Sequence, residues 1–203
     1  MSEINKKNGP VAVTGASGYI GSRIVEDLLG QGYEVHACVR DANNGKKVDH
    51  LIKLGNDAHN CDVQLFEGDL FEKGSYDDAF SGCISVIHAG ATVGFNRETP
   101  QEVYDGCFTE NEHLVESVKK AGSVKRFVFT SSFAAVAHPR PEGYVFVEGD
   151  WCGDNIEAYK GAWTEKNISK NRDIAYAMAK ANTEKMIYKM AEEDGNFEAI
   201  SIN

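Results

Sequence analysis

Short apolar clusters alternate along this chain with longer segments in which apolar residues recur at helical spacing. The first cluster, residues 11–13, runs into a glycine-rich stretch and predicts a short buried strand. Segment 20–29 predicts a helix, which Gly30 and Gly32 then end. The predicted buried face of this helix contains Ile20, Ile24, Leu28 and Leu29.

The same alternation continues to the end of the chain. Further strands are predicted at 34–39, 62–67, 84–88, 126–130 and 199–202, and helices at 46–54, 75–80, 101–121 and 174–192. This order predicts an α/β fold, a doubly wound parallel sheet with helices on both faces. Only 133–173 lacks clear periodicity, and a loop of that length in a compact domain is more often functional than idle.

Composition is that of a globular protein with one domain. The 203 residues fit one domain, or one and a fragment of another, and we predict a tail at 1–9 and a domain at 10–203. The net charge of −10 argues against nucleic acid and anionic membranes as partners, because both bind basic surfaces. No apolar run reaches the roughly 18 residues of a membrane span, and the N-terminus lacks the apolar stretch of a signal peptide. Five widely spaced cysteines without a C-x-x-C pair then indicate reduced thiols in a cytoplasmic protein.

Residues 14–21, TGASGYIG, place three glycines at G-x-x-G-x-x-G spacing between the first strand and the first helix. Gly15 permits a tight turn, Gly18 lets a pyrophosphate approach the backbone, and Gly21 lets the helix pack close to the sheet. The free N–H groups of the helix N-terminus would bind the phosphates. This context predicts a Rossmann-type dinucleotide site. The predicted contacts in the loop are Gly15, Ser17, Gly18, Tyr19, Ile20 and Gly21.

The end of the second strand indicates which dinucleotide is bound. An acidic residue about 20 positions after the loop is typical of NAD binding, because it holds the ribose 2′-OH. This chain has Arg40 there, and a guanidinium suits the 2′-phosphate of NADP(H). Lys46 and Lys47 add positive charge nearby. Asp41 could still take a ribose hydroxyl and Arg40 could be a solvated surface charge, but the pattern favours NADPH.

Asp69 and Leu70 follow the third strand, at the same edge of the predicted sheet. A carboxylate there can accept a hydrogen bond from the adenine amino group. A helix cap after Gly68 explains Asp69 equally well on spacing alone.

Candidate catalytic groups follow the fifth strand and lie on the last helix. Ser131 and Ser132 end the strand, and only one of them should face the site, because side chains alternate along a strand. Such a hydroxyl can donate a hydrogen bond to a carbonyl oxygen of a substrate. Tyr176 and Lys180 are four positions apart and so share one helix face. A phenol with its ordinary pKa, about 10, is a poor proton carrier at neutral pH, and a neighbouring ammonium lowers that pKa.

Five motifs occur here in the order in which one protein family carries them. They are VTGASGYIG, CVRDANNGKKVDHL, EGDLFEKGSYDDAFSGC, VKRFVFTSS and YAMAKANTEK. From residue 11 to 203 the chain therefore resembles the extended short-chain dehydrogenase/reductases. Within them it resembles the group of dihydroflavonol reductases, cinnamoyl-CoA reductases and fungal aldehyde/ketone reductases.

The resemblance implies an NADPH-dependent oxidoreductase that reduces an aldehyde or ketone, or in reverse oxidises an alcohol, and we expect a monomer or homodimer. Ser132, Tyr176 and Lys180 would be its catalytic residues. Tyr176 would give its proton to the carbonyl oxygen as hydride leaves the nicotinamide. Tyr176 and Lys180 would also contact the cofactor, with Lys180 holding the nicotinamide ribose. The implied contacts to the 2′-phosphate and the adenine are Arg40, Lys47, Asp69 and Leu70.

The chain departs from the family pattern in three places. It has His88, Ala89 and Gly90 where the plant reductases carry a His-Val-Ala-Thr-Pro-like stretch. The separation of Ser132 and Tyr176 is longer than in the plant enzymes and more like that of the fungal ones, so a flavonoid substrate is not implied. The family also has a C-terminal substrate lobe, which we expect to be absent from these residues.

Two other functions use the same residues. One is an NAD-dependent sugar epimerase or dehydratase, or a hydroxysteroid dehydrogenase; the other is a non-catalytic dinucleotide-binding fragment or sensor. No metal site is predicted, because the acidic, His and Cys residues at 57–62 lack metal-site spacing. Aromatic residues in the long loop either line the substrate mouth or pack the loop down. They are Tyr144, Phe146, Trp151, Tyr159 and Trp163.

Overall fold

The computed structural model describes residues 4–58, 61–91, 99–136, 140–153 and 165–203. Six strands form one sheet: β1 (Val11–Thr14), β2 (Val35–Val39), β3 (Val63–Glu67), β4 (Ser85–His88), β5 (Arg126–Thr130) and β6 (Glu198–Ile202). The α-helices are α1 (Tyr19–Gly30), α2 (Gly45–Asp57), α3 (Asp77–Phe80), α4 (Pro100–Ala121) and α5 (Arg172–Asp194). Within the described residues, three short 3₁₀ helices cover Lys6–Asn8, Phe133–Ala135 and Glu165–Lys170.

The strands are all parallel, in the order β3-β2-β1-β4-β5-β6. The strand order reverses between β1 and β4, which places a crevice at their carboxyl ends. This is the doubly wound Rossmann-type sheet that the alternation and the glycine spacing predict, and the prediction of the fold class is confirmed.

Helices cover the sheet on both faces. On one face, α1 and α2 enclose a core that includes Val13, Val25 and Leu51. On the other face, α3, α4 and α5 pack over a larger core that contains Phe127 and Phe129, both fully buried. The helices α4 and α5 lie side by side along this face. Their contact brings α5 across the end of β5, where the predicted catalytic serines are.

The predicted buried face of α1 is only partly correct. Leu29 is buried, and Ile24 and Leu28 are partly buried, but Ile20 is 53% exposed. The residues that α1 buries are Gly21, Val25 and Leu29. A glycine has no apolar side chain to mark its position, so the helical pattern placed the inner face one position away from where it lies.

Most predicted boundaries agree with the structure to within about two residues, as expected for helix and strand ends. The exception is 133–173, whose described parts contain two 3₁₀ helices and the start of α5 instead of lacking regular structure throughout. Parts of this stretch lie outside the described residues. Near the N-terminus, Lys6 Nζ donates to the Gln31 carbonyl oxygen (3.1 Å), so the predicted tail contacts the end of α1. Within the described ranges, no helix has both the length and the apolar character of a membrane span.

Candidate cofactor and catalytic site

The glycine-rich loop joins β1 to α1 at the point where the strand order reverses. Gly15 has a φ of 65°, in the left-handed region that favours glycine. A Cβ at this position would lie 2.6 Å from Gly90 Cα, because the exits of β1 and β4 touch each other here. Two glycines that are distant in sequence therefore form the base of the crevice.

Gly21 is the position at which α1 approaches the loop. A Cβ on Gly21 would lie 2.2 Å from the Gly15 carbonyl oxygen, which is too close for any side chain. The N–H groups of Tyr19, Ile20 and Gly21 belong to the first turn of α1 and have no acceptor inside the helix. Tyr19 is 90% exposed, so this end of the helix is open to a ligand. The loop therefore has the shape and the free donors that an anionic group requires.

Arg40 directly follows β2 and is exposed, as is Lys47 in the first turn of α2. Asp41 Oδ1 accepts a hydrogen bond from the Asn43 backbone N–H (2.9 Å), and Glu67 Oε1 accepts one from Ala42 N–H (2.9 Å). These two carboxylates hold the turn that presents Arg40 at the carboxyl edge of the sheet. Asp41 thus has a structural partner in its own turn.

The Asp69 carboxylate accepts a backbone hydrogen bond in its own turn, in keeping with the capping role that the sequence also allowed. Its Oδ1 accepts the Phe71 backbone N–H (2.9 Å), and its own N–H and carbonyl oxygen both bond to Ser75 Oγ. Leu70 is partly buried and packs against the larger core. A contact between these residues and an adenine stays a prediction.

The two candidate serines have different environments. Ser131 is buried, its backbone N–H donates to the Ile202 carbonyl oxygen (2.9 Å), and its Oγ has no hydrogen-bond partner among the described residues. Ser132 is half-buried and caps the 3₁₀ helix that follows, with its Oγ accepting from Ala134 N–H (3.1 Å). Because this bond uses only a lone pair, the Ser132 hydroxyl proton is available to another acceptor.

Tyr176 and Lys180 lie one turn apart on α5, as predicted. Lys180 is only 3% exposed, and its Nζ donates to the Thr130 carbonyl oxygen (3.3 Å) at the end of β5. The same Nζ is 4.9 Å from the centroid of the Phe129 ring and 6.0 Å from that of the half-buried Tyr176. The structure therefore brings the ammonium, the phenol and the serine-bearing strand end together at the carboxyl edge of the sheet.

His88 is a residue of this region that the sequence did not single out for a role. It is 2% exposed, and its Nδ1 is 2.6 Å from Thr14 Oγ1, the hydroxyl that also accepts the Gly90 backbone N–H (3.3 Å). Burial, reinforced by the positive charge of Lys180, lowers the pKa of His88 to about 3, against a smaller opposing effect of Asn111. The ring is therefore neutral at physiological pH. In the sequence, the only indication that His88 lies near the site was its position at the end of the fourth predicted strand.

The segment 140–153 packs against α5. Trp151 Nε1 donates to Glu184 Oε2 (2.9 Å), and Tyr144 OH donates to Asp150 Oδ2 (2.8 Å). Phe146 contacts the Tyr144 ring edge-on at 5.4 Å. Trp151 therefore packs the loop down, whereas Tyr144 is 41% exposed. Two other predicted loop aromatics, Tyr159 and Trp163, lie outside the described residues.

All five cysteines are in described segments, and none forms a disulfide. Burial raises the pKa of Cys83 to about 12 and raises that of Cys38 further. In the described ranges, no three His, Cys, Asp or Glu side chains are grouped as metal ligands would be, and His59 lies outside those ranges.

Strand order, the β1–α1 glycine loop and the crevice between β1 and β4 together define a Rossmann-type α/β protein. The chain belongs to the NAD dependent epimerase/dehydratase family, whose profile matches residues 11–203. The resemblance inferred from the five sequence motifs is thereby confirmed.

Two plant reductases illustrate the sequence similarity. The chain is 37% identical over 207 residues to cinnamoyl-CoA reductase CAD2 of Medicago truncatula, covering 100% of this chain and 59% of that protein. It is 38% identical over 186 residues to dihydroflavonol 4-reductase of Arabidopsis thaliana, covering 91% of this chain and 46% of the relative. The chain thus spans about half the length of the curated relatives it matches.

Solved structures have the same fold. The yeast methylglyoxal/isovaleraldehyde reductase Gre2, complexed with NADPH, superposes with a TM-score of 0.75 at 24% identity, covering 96% of this chain and 57% of the other. Vestitone reductase from alfalfa (Medicago sativa) superposes with a TM-score of 0.69 at 23% identity, covering 95% of this chain and 55% of the other. At these identities the likeness establishes the fold alone.

Proposed function

We propose that the protein is an NADPH-dependent carbonyl reductase that acts on a small aldehyde or ketone. The observation that carries this proposal is the position of Lys180, buried at the end of β5 with Tyr176 one helical turn away. Reductase names among the relatives, and NADPH in the yeast structure, support the same chemistry.

The crevice fits a dinucleotide phosphate. Gly15 and Gly21 keep the space beside the loop clear, since a Cβ on either would collide with backbone. The first-turn N–H groups of α1 would hold the pyrophosphate, with Ser17, Gly18, Tyr19 and Ile20 around it. Arg40 and Lys47 would hold the 2′-phosphate, and a guanidinium can do so with two parallel hydrogen bonds. Asp69 and Leu70 would lie beside the adenine.

The catalytic residues of this chain would donate the proton and orient the substrate carbonyl group. When bound, NADPH would supply the hydride that adds to the carbonyl carbon. Tyr176 would donate its phenolic proton to the carbonyl oxygen as the C=O π electrons move onto that oxygen. Ser132 would hold the same oxygen with the hydroxyl proton that its capping bond leaves available. Lys180 would stabilise the phenolate that Tyr176 becomes and hold the nicotinamide ribose.

We expect Tyr176→Phe to lower kcat for carbonyl reduction by at least about 10²-fold, because general acid catalysis of this type contributes 10²–10⁴-fold. NADPH binding should stay nearly unchanged, since the phenyl ring is retained. The measurement is NADPH consumption by the natural protein with a panel of aldehydes and ketones, alongside NADPH titration by fluorescence. Tyr188→Phe on the same helix is the matched control, because Tyr188 OH accepts the Ser201 backbone N–H and has no part in the proposed chemistry.

Three outcomes separate the possible readings. Reduction by Tyr176→Phe at the parent rate would show that the assigned mechanism is wrong. Tight NADH binding with poor NADPH binding would favour an NAD-dependent epimerase, dehydratase or hydroxysteroid dehydrogenase. NADPH binding without turnover of any substrate would favour a non-catalytic dinucleotide-binding protein.

A further inference from the structure

A row of side chains crosses the sheet directly beneath the glycine-rich loop. Strand register aligns Thr14 on β1 with His88 on β4, and His88 with Phe129 on β5. Thr14 is 0% exposed and His88 is 2% exposed, so both polar groups must be satisfied inside the protein. Neither belongs to the proposed Ser, Tyr and Lys set.

The hydrogen bonds of this row have one consistent direction. Asn111 of α4 donates through Nδ2 to the Cys107 carbonyl oxygen (2.7 Å). Its buried Oδ1 has no hydrogen-bond partner in the described part of the chain, and Asn111 acts to raise the pKa of His88, as an acceptor that faces a ring N–H does. We therefore assign the ring N–H of His88 to the nitrogen other than Nδ1. A neutral imidazole carries one N–H, so the Nδ1 of His88 is then an acceptor. It takes the hydroxyl proton of Thr14, whose oxygen in turn accepts the Gly90 backbone N–H.

The row also reaches the catalytic lysine. The His88 ring stacks on the Phe129 ring, with centroids 5.8 Å apart and planes 12° apart. Lys180 Nζ lies 4.9 Å from the centroid of the same Phe129 ring. A cation at His88 would face this buried ammonium, and so only a neutral hydrogen-bonding side chain is suited to the position.

We propose that His88 is a positioning residue of the dinucleotide crevice, which acts through the Thr14 hydroxyl to hold Gly90 against Gly15. This inference rests on the proposed function, because it assumes that the crevice binds NADPH. Thr14 is the last residue of β1, so the orientation of its hydroxyl governs where the glycine loop leaves the sheet and how close the β4 exit lies. Loss of the His88 acceptor would free that hydroxyl and let the base of the crevice widen.

Four variants of the protein test the proposal, with NADPH itself as the probe. His88→Phe keeps the ring stack and removes the acceptor, whereas His88→Asn keeps an acceptor near the Nδ1 position. Thr14→Val removes the hydroxyl at constant shape, and Thr14→Ser keeps it. We expect H88F and T14V to raise the Kd for NADPH about tenfold each, the effect of one lost hydrogen bond. H88N and T14S should bind within about threefold of the parent.

The double variant T14V/H88F should bind NADPH no more weakly than the worse single variant, because the Thr14–His88 bond that H88F breaks is already lost in T14V, together with the bond from Gly90. Unchanged NADPH affinity in T14V and H88F, with only the melting temperature lowered, would show that His88 is an ordinary core residue. Additive losses in the double variant would equally overturn the proposal. If H88F does not fold, the T14V and T14S pair decides the question. A parent protein that does not bind NADPH at all would instead refute the proposed function.

Discussion

In the proposed site, Arg40 is the residue that we expect to select NADPH over NADH. Its side chain is exposed at the end of β2, in a turn held by Asp41 and Glu67. We expect Arg40→Ser to raise the Kd for NADPH by about tenfold or more, the worth of a charge-assisted bond to phosphate, and to change NADH binding little. Lys53→Ser on the outer surface of α2 is the control, and both should be titrated at one salt concentration. An equal loss for both dinucleotides would place Arg40 outside the 2′-phosphate site.

For individual residues, the sequence could predict which side chains have suitable chemistry for the site, but it could not predict their hydrogen-bond partners. Tyr176 and Lys180 were predictable as a pair because helix geometry alone places residues four apart on one face. Ser131 and Ser132 could not be separated, because their difference is in hydrogen bonding: Ser132 caps a 3₁₀ helix and Ser131 is buried. His88 could not be assigned a role, since its partners Thr14 and Asn111 come from distant parts of the chain.

The backbone of the glycine-rich loop comes close to α1 at Gly21, so Gly21 should tolerate no side chain. We expect Gly21→Ala to destabilise the fold by about 1–3 kcal/mol, as overpacking of a filled site does, and to abolish NADPH binding. Gly30→Ala in the same helix is the control, since a Cβ there would meet nothing within 4 Å. That change should be neutral or stabilise by a few tenths of a kcal/mol up to about 1 kcal/mol. Chemical denaturation measures both, and equal effects would contradict the close approach.

A second connection between elements ties α3 to α4 by charge. Lys120 and Ser117 on α4 both bond to the Asp77 carboxylate, with Ser117 Oγ at 2.7 Å. The hydrogen bond from Lys120 lowers the pKa of Asp77 against a smaller opposing effect of burial, and the Ser117 bond adds to the lowering. Because the folded-state pKa is depressed, this contribution to stability is present above the unfolded pKa of about 3.9. It is lost as the pH falls through the folded-state pKa.

Asp77→Asn should therefore lower the melting temperature at pH 7 by about 2–4 °C, the shift of a modest surface interaction in a domain of this size. The difference from the parent should shrink steadily as the pH is lowered below about 4. Asp78→Asn, a change of the neighbouring acid, should have a smaller effect at every pH. A difference that stays constant from neutral pH down to about pH 3 would show that the Asp77 charge is not involved.

Boundaries of the elements could be predicted well because each is marked locally. The apolar run of β1 passes directly into the glycine loop, and the strong helix formers of α5 continue to Gly195 at its C-cap. The buried face of α1 was less predictable, because Gly21 lies on it without an apolar side chain and serves to let the helix approach the loop. The two 3₁₀ helices in the long loop are too short to show a period in the sequence.

For the whole molecule, the fold class could be predicted from the alternation of strands and helices along the sequence. The strand order β3-β2-β1-β4-β5-β6 could not be predicted in this way. Alternation predicts that parallel strands are joined by helices, but it carries no information on which strands are neighbours. Pairing of Val13 with Ile87, for example, joins positions with two strands and three helices between them. The crevice depends on this pairing, so the geometry of the proposed site was visible only in three dimensions.

The meeting of Gly15 with Gly90 has a consequence for the newly made polypeptide. A ribosome delivers β1, β2 and β3 first, and these three strands are neighbours that can pair as they emerge. Half of the sheet can thus form before the β4 side of the crevice exists. If the crevice binds NADPH as proposed, the cofactor has no complete crevice to enter until β4 has been synthesised and has docked on the opposite edge of β1. Bound NADPH would therefore stabilise this fold only after β4 has docked, late in the synthesis of the chain.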